Sequence, residues 1–159
     1  MSRAERWAWP RFERRMLARA DAIVTFTARD RDAVRAIGTQ APITVIPFRL
    51  TDPPRSAESA SAETSRNVLF VGNFIHPPNA DAARWLAHRI FPRVRSAVPE
   101  ATLTIVGDQP PDGLAPYSTG RVPDVAPYLR RAAVVAAPLR AGGGMRVKVL
   151  EALLSGKAV

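Results

Sequence analysis

The stretch AAVVAAPLRAGGGMRVKVLEALLSG, residues 132–156, has the pattern of a strand, a glycine loop and a helix in succession. The apolar run 134–137 predicts a buried strand, and Pro138 leads the chain out of it into three consecutive glycines. Apolar spacing then predicts a helix over 144–155, packed through Val147, Leu150, Leu153 and Leu154. Such a unit lies at the carboxyl end of a parallel strand, where open α/β sheets bind ligands.

Apolar runs and helical segments alternate along the rest of the chain. The runs are apolar nearly throughout, as expected of strands buried on both faces, and lie at 23–26, 43–46, 68–71, 103–106 and 134–137. Helices are predicted at 4–20, 28–37, 79–97, 124–132 and 144–155. Repeated strand–helix alternation predicts an α/β fold with a parallel sheet and right-handed crossovers.

One segment predicts a division of the chain. Residues 49–66, RLTDPPRSAESASAETSR, are rich in Ser and Ala, contain two prolines and lack apolar periodicity, so they predict a linker. Two predicted strands precede it and three follow it. The final residues, GKAV, end where a new strand would begin, and we therefore expect a fragment of a longer protein.

Composition bounds the function. The chain has 159 residues and no cysteine, which excludes disulfides and thiolate metal sites. It shows no signal-like apolar segment and no run of membrane-spanning length, so we expect a cytoplasmic protein. A net charge of +9 is compatible with binding to phosphates, anionic lipids or nucleic acids. Because RNA-binding aromatic motifs and zinc-finger spacing are absent, a nucleic-acid partner is not expected.

The helix after the glycines carries the residues whose chemistry suits ligand binding. On a helix over 144–155, Gly144, Lys148, Glu151 and Ser155 share one face. Glycines let a backbone approach an anion, a helix N-terminus attracts it, and Lys148 adds a full charge. The segment matches neither a Walker loop nor the dinucleotide fingerprint. The alternative is an ordinary loop and helix with a Lys148–Glu151 surface pair.

Four blocks, taken in order, resemble the donor-binding domain of family-four glycosyltransferases with the GT-B fold. They are VLFVGNFIHPPNADAARWL (68–86), IFPRVRSAVPEATLTIVGDQP (90–110), TGRVPDVAPYLRRAAVVAAPL (119–139) and GGGMRVKVLEALLSGKAV (142–159). Residues 12–34 and 43–48 resemble the end of the acceptor-side domain and the crossover strand. The resemblance implies a truncated, Rossmann-like donor domain with helices on both faces over 67–159, after an acceptor-domain tail over 1–48.

The resemblance also implies an activity: transfer of a sugar from a nucleotide diphosphate donor to an acceptor hydroxyl, without a metal or other cofactor. The donor-binding residues that it implies are Gly72, Asn73, Asn79, Gly120, Val122, Gly142, Gly143, Gly144, Arg146, Lys148 and Glu151. In this assignment the glycines border the donor sugar and diphosphate, Glu151 holds the ribose, and residues 120–122 lie near the base. No catalytic residue is assigned.

The chain departs from the family pattern at several of these positions. The family pairs two glutamates eight positions apart, and the first falls on Gly143. Asn73 and Asn79 are neutral where the family commonly has Arg and Lys, so Arg146 and Lys148 are expected to supply that charge. The stretch between Gly107 and Gly120 is also shorter than is usual in the family. An alternative function is therefore a non-catalytic remnant or interaction module with vestigial nucleotide-sugar binding.

Two further sets of residues have competing interpretations. The first helix carries aromatic and apolar residues beside many arginines, a composition typical of peripheral membrane helices, although the resemblance makes it a packing helix. Asn79 and Asp124 each follow a proline and are predicted to cap the helices after them. The two histidines lack neighbouring carboxylates, and no metal site is predicted.

Overall fold

The structure is a computed structural model that describes residues 3–48, 65–141 and 146–159, with side chains from residue 8 onward. Contacts divide the chain into two compact units, Met1–Arg49 and Leu50–Val159. The linker prediction falls mostly on residues outside the described ranges. Each unit contains a parallel sheet, which confirms the α/β class predicted from the alternation of strands and helices.

Over residues 3–48, the smaller unit contains two helices and a two-stranded parallel sheet. Its elements are α1 (Arg3–Leu17), β1 (Ile23–Thr25), α2 (Ala28–Ala36) and β2 (Ile43–Val45). The two strands pair in register from Ile23–Ile43 to Thr25–Val45. Helix α2 begins where it does because the Thr27 hydroxyl accepts the Asp30 N–H at 3.0 Å, which satisfies one of the open donors of the first turn.

The prediction that every strand is buried on both faces is wrong for this smaller unit. In the part of it that the structure describes, Thr25 alone is buried, while Val24 is 58% and Ile46 is 52% exposed. Because successive strand side chains point to opposite faces, one face of the two-stranded sheet is covered and the other is open. The unit thus has little core of its own.

The larger unit holds a four-stranded parallel sheet with the order β5-β4-β3-β6. Its elements are β3 (Asn67–Val71), α3 (Pro77–Trp85), a π-helical turn (Leu86–Ile90), α4 (Phe91–Ala97), β4 (Thr102–Val106), β5 (Ser118–Gly120), α5 (Ala126–Arg131), β6 (Val134–Val135) and α6 (Val147–Leu154). Ala158 forms an isolated parallel bridge with Val134, beside β6 and at the position where the sequence predicts the start of a strand.

Helices cover both faces of this sheet, which confirms the Rossmann-like arrangement. Val68 and Phe70 of β3 pack on one face, in a cluster that includes Leu86 and other residues of the helical segment 77–97. Leu69 points to the other face and packs in a second cluster that includes Ala152 of α6. Alternation along one central strand therefore builds two cores, one for each helical layer.

Several element boundaries differ from the predictions. The helix predicted over 79–97 begins at Pro77 and contains the π-helical turn, at whose end the Phe91 N–H reaches the Leu86 carbonyl five residues back. The cause is Pro92, which lacks an N–H and whose ring crowds the carbonyl four residues before it. Strand β5 was missed because its sequence, Ser-Thr-Gly, contains no apolar residue.

The last helix is shorter and packs differently than predicted. It spans Val147–Leu154, and Gly144 lies outside the described residues. Ala152 is its buried residue and Val147 is partly buried, whereas Leu150, Leu153 and Leu154 are exposed, so the expectation that the leucines supply the packing is wrong. The four-residue spacing from Lys148 to Ala152 puts the lysine on the side of the helix that faces the sheet.

Candidate functional site

The carboxyl ends of β3 and β4 meet at two glycines. Gly72 follows β3, and its N–H donates to the Val106 carbonyl at 2.9 Å. Gly107 follows β4 with φ +154°, and a Cβ added there would lie 1.6 Å from the Gly72 oxygen. The Gly107 N–H in turn donates to the Gly120 carbonyl at the end of β5, at 3.1 Å. Close contact between backbones thus fixes the edge of the sheet where ligands are expected.

Asn79 packs over this edge. A Cβ on buried Gly72 would come within 3.2 Å of the Asn79 side chain and 3.0 Å of the Phe70 ring, so glycine makes room for both. The Asn79 amide nitrogen donates to the Asn73 carbonyl at 2.8 Å. This bond orients the amide so that its oxygen faces Lys148. The Asn73 side chain accepts the Ile75 N–H at 3.1 Å and so stabilises the turn after β3.

The cap predictions for Asn79 and Asp124 are both wrong, because His76 is the cap residue of α3 and Val125 is the cap residue of α5. Helix α3 begins with two prolines, which favour the first helical positions, so His76 occupies the cap and Asn79 lies inside the first turn. The Asp124 carboxylate accepts the N–H of Ala126, the first residue of α5, at 2.9 Å. Asn79 is therefore available for a contact with another element.

That contact is with Lys148, the second residue of α6. Its ammonium donates to the Asn79 amide oxygen at 2.7 Å and lies 4.8 Å from the centre of the Phe70 ring. The lysine is half-buried, and desolvation, together with the positive charge of Arg146, lowers its pKa below the ordinary value. Neither the Asn79 amide nor the Phe70 ring supplies a negative charge to the ammonium. This arrangement favours the binding of an anion.

The surface pair between Lys148 and Glu151 does not form. The ion pairs among the described residues are Arg31–Asp32, Arg66–Glu100 and Arg140–Asp81. Glu151 is exposed on α6. The alternative in which the two residues serve only as a salt bridge on a helix surface is therefore wrong for this structure.

A second long-range contact was missed by the sequence analysis. Arg140 follows β6, and its guanidinium binds both carboxylate oxygens of Asp81 on α3, with Nε donating to Oδ2 at 3.0 Å. The same guanidinium lies 4.9 Å from the centre of the Trp85 ring. The hydrogen bond from Arg140 holds the Asp81 pKa below its ordinary value. The partners are 59 residues apart, so no local pattern predicts them.

The remaining predicted site residues are more dispersed. Arg146 is exposed at the cap position of α6, and Gly120 ends β5. Val122 is partly buried and packs against the second core cluster. Gly142, Gly143 and Gly144 lie outside the described residues. The contacts of the described site therefore bring together Gly72, Asn73, Asn79 and Lys148, with Gly120 joined to Gly72 through Gly107, whereas Glu151 is exposed and Val122 packs against the second core cluster.

Membrane contact and metal binding concern other parts of the chain. Within residues 3–48, 65–141 and 146–159, no helix is long and apolar enough to cross a membrane. Over the same ranges, no three His, Asp or Glu side chains converge as metal ligands do. On α1, Trp9, Phe12 and Met16 are each about half exposed. Peripheral membrane contact through this helix remains a prediction.

Comparisons with known proteins agree with the fold. A family model described as "Glycosyl transferases group 1" matches residues 65–159. The solved structure described as "Crystal Structure of TarM" matches with a TM-score of 0.70 at 14% identity, over 92% of this chain and 31% of that chain. This chain thus spans about a third of the TarM length, and the likeness confirms the GT-B type of fold. No curated protein matches the chain.

Proposed function

Since the chain belongs to the group 1 glycosyl transferases, we propose that its larger unit binds the nucleotide diphosphate of a sugar donor at the carboxyl ends of β3 and β4. In the complete reaction, the bond between the sugar and the terminal phosphate breaks and a bond to an acceptor hydroxyl forms. The hydroxyl loses its proton, and the nucleoside diphosphate leaves with increased negative charge. The contribution proposed for this chain is to stabilise that charge.

The observation that carries the proposal is the environment of Lys148. Its ammonium is half-buried, hydrogen-bonded to a neutral amide and placed in the first turn of α6. A charge that is partly desolvated without an opposite charge is costly, and an incoming diphosphate would relieve that cost. The partial positive charge of the helix N-terminus acts in the same direction. We propose that these protein groups, with Arg146, neutralise the diphosphate without a metal.

The remaining roles follow the family resemblance. Glu151 lies one turn beyond Lys148 on α6 and is proposed to accept hydrogen bonds from the ribose hydroxyls. Residues 120–122, which follow from the end of β5, are proposed to lie near the base, and residues 142–144 to border the sugar. In this proposal, residues outside the larger unit bind the acceptor.

Binding without transfer is the second candidate function for this chain. The observation that favours it is that the side chains of Asn73 and Asn79 are used in internal contacts and bring no charge to the site. In that case Lys148 binds the diphosphate, and the chain acts as a nucleotide-sugar binding module. The purified chain would then bind nucleoside diphosphates without transferring sugar.

The test compares nucleoside diphosphates with the matching nucleosides in calorimetric titrations. Lys148→Ala should weaken binding of UDP, GDP or ADP by about 10-fold to 100-fold, the loss expected for a charged hydrogen bond, and should leave the nucleoside affinity unchanged. Glu151→Ala should weaken both ligands, because both carry the ribose. Equal and small effects of the two substitutions on both ligands would overturn the proposal.

A further inference from the structure

Helix α3 holds the chain on both sides of residues 142–145. Before this segment, Arg140 binds Asp81 of α3. After it, Lys148 binds Asn79 of the same helix. The two anchor residues, Asn79 and Asp81, are two positions apart in α3, so a single helix contacts the described residues on both sides of the segment.

The geometry of the Arg140–Asp81 pair is better defined than that of an ordinary surface ion pair. Its guanidinium presents two N–H groups to the two oxygens of Asp81, and bidentate pairing of this kind fixes direction as well as distance. The guanidinium also lies 4.9 Å from the centre of the Trp85 ring, one turn further along α3. Arg140 therefore contacts two successive turns of the helix.

We propose that Asp81 and Arg140 are positioning residues for the diphosphate site, an inference that rests on the proposed function. Their pairing ties α3 to Arg140 at the exit of β6, and so holds Asn79 of the same helix where it binds the Lys148 ammonium. The ordering is then present in the free protein, and the ligand does not have to supply it on binding. Neither residue is proposed to touch the diphosphate.

A change of charge at Asp81 distinguishes positioning from attraction of the diphosphate by the net charge of the protein. Asp81→Asn removes a negative charge near the site, so attraction of an anion by net charge alone would become stronger. Loss of positioning has the opposite sign and should weaken diphosphate binding. A direct contact between Arg140 and phosphate would make Arg140→Met harmful while Asp81→Asn would be neutral or favourable.

The experiment measures dissociation constants for UDP, GDP and ADP and for the three nucleosides, with the melting temperature of each variant. Asp81→Asn and Arg140→Met should each weaken diphosphate binding about fivefold, the effect of losing one well-formed ion pair, with nucleoside binding unchanged. The double variant should be no weaker than either single variant, because the two residues act as one unit. Glu100→Gln breaks the exposed Arg66–Glu100 pair of the same unit and should leave both affinities unchanged.

Three results overturn the inference: unchanged or tighter diphosphate binding in Asp81→Asn, additive losses in the double variant, or equal losses for nucleosides and diphosphates. Lys148→Ala in the same series separates this failure from that of the proposed function. If Lys148→Ala weakens diphosphate binding and Asp81→Asn does not, the positioning role alone is wrong. If Lys148→Ala has no effect, the diphosphate site itself is wrong.

Discussion

Substitution of Gly107 by alanine should destabilise the larger unit strongly. The added Cβ would lie 1.6 Å from the Gly72 oxygen, 2.8 Å from the Gly72 carbonyl carbon and 2.8 Å from the Phe74 ring. Ordinary contacts begin near 3.4 Å, and the nearest atoms belong to backbone that cannot rotate away. The exits of β3 and β4 would have to separate by more than an ångström.

The size of the effect follows from two costs. Overpacking against closely packed atoms, here backbone of a partly buried position, costs about 1–3 kcal/mol. A non-glycine residue at φ +154° adds about 1–2 kcal/mol of backbone strain. Separation of the strand exits also weakens the hydrogen bond from the Gly72 N–H to Val106. We therefore expect Gly107→Ala to lower the free energy of unfolding by about 3–5 kcal/mol, a large part of the stability of an ordinary domain.

Urea unfolding followed by circular dichroism measures this loss, and Gly113→Ala is the matched control. Gly113 lies in the same unit at φ +81°, and a Cβ there would meet nothing within 4 Å, so this variant carries only the backbone strain. The difference between the two variants isolates the steric contact. If Gly107→Ala unfolds at the same urea concentration as Gly113→Ala, the close approach of the two strand exits is wrong.

Three other predictions concern charges and surfaces. Because the pKa of Lys148 is lowered in the folded protein, the unfolded chain holds that proton more tightly, and the free energy of unfolding should rise as the pH increases from the folded pKa toward 10.5. Urea unfolding at a series of pH values should show this rise in the original chain and not in Lys148→Met. The same pH profile in both proteins would contradict the prediction. Arg140→Ala should raise the Asp81 pKa toward 3.8, as followed by NMR titration of the carboxyl group, and a pKa that stays low would contradict the pairing. If α1 contacts membranes, the chain should bind vesicles containing anionic lipid and lose that binding in Trp9→Ala/Phe12→Ala; equal binding of both proteins would refute the role of this helix.

The sequence was sufficient to predict the parallel sheet and the helical layers because buried parallel strands leave continuous apolar runs. It also predicted a helix that carries Lys148 after a strand, which the structure confirms, although the helix begins at Val147 and Lys148 is its second residue rather than one turn inside it. Strand β5 lacks any apolar residue and was invisible to the same criterion. Open faces in the smaller unit were unpredictable from runs alone, because an apolar strand looks the same whether or not another element covers it.

The contacts of the site were harder to predict than the elements that carry them. Asn79 and Lys148 are 69 residues apart, and only the folded sheet brings them together. Gly107 could have been recognised, because both central strands end in Val-Gly, at 71–72 and 106–107. The Arg140–Asp81 pair had no such signal, since an arginine in a loop is compatible with many partners. Spacing along the chain predicts faces of elements, whereas side-chain partners depend on the crossovers between them.

The most direct test of the diphosphate site is the binding of inorganic pyrophosphate, which requires neither a base nor a sugar for recognition. The intact 159-residue chain should bind pyrophosphate, and Lys148→Ala should weaken that binding at least about tenfold. Lys157→Ala is the control, because the only other lysine of the chain donates to the Arg130 carbonyl and has no role in the proposed site. Equal loss of affinity in both variants, or no loss in Lys148→Ala, would contradict the account.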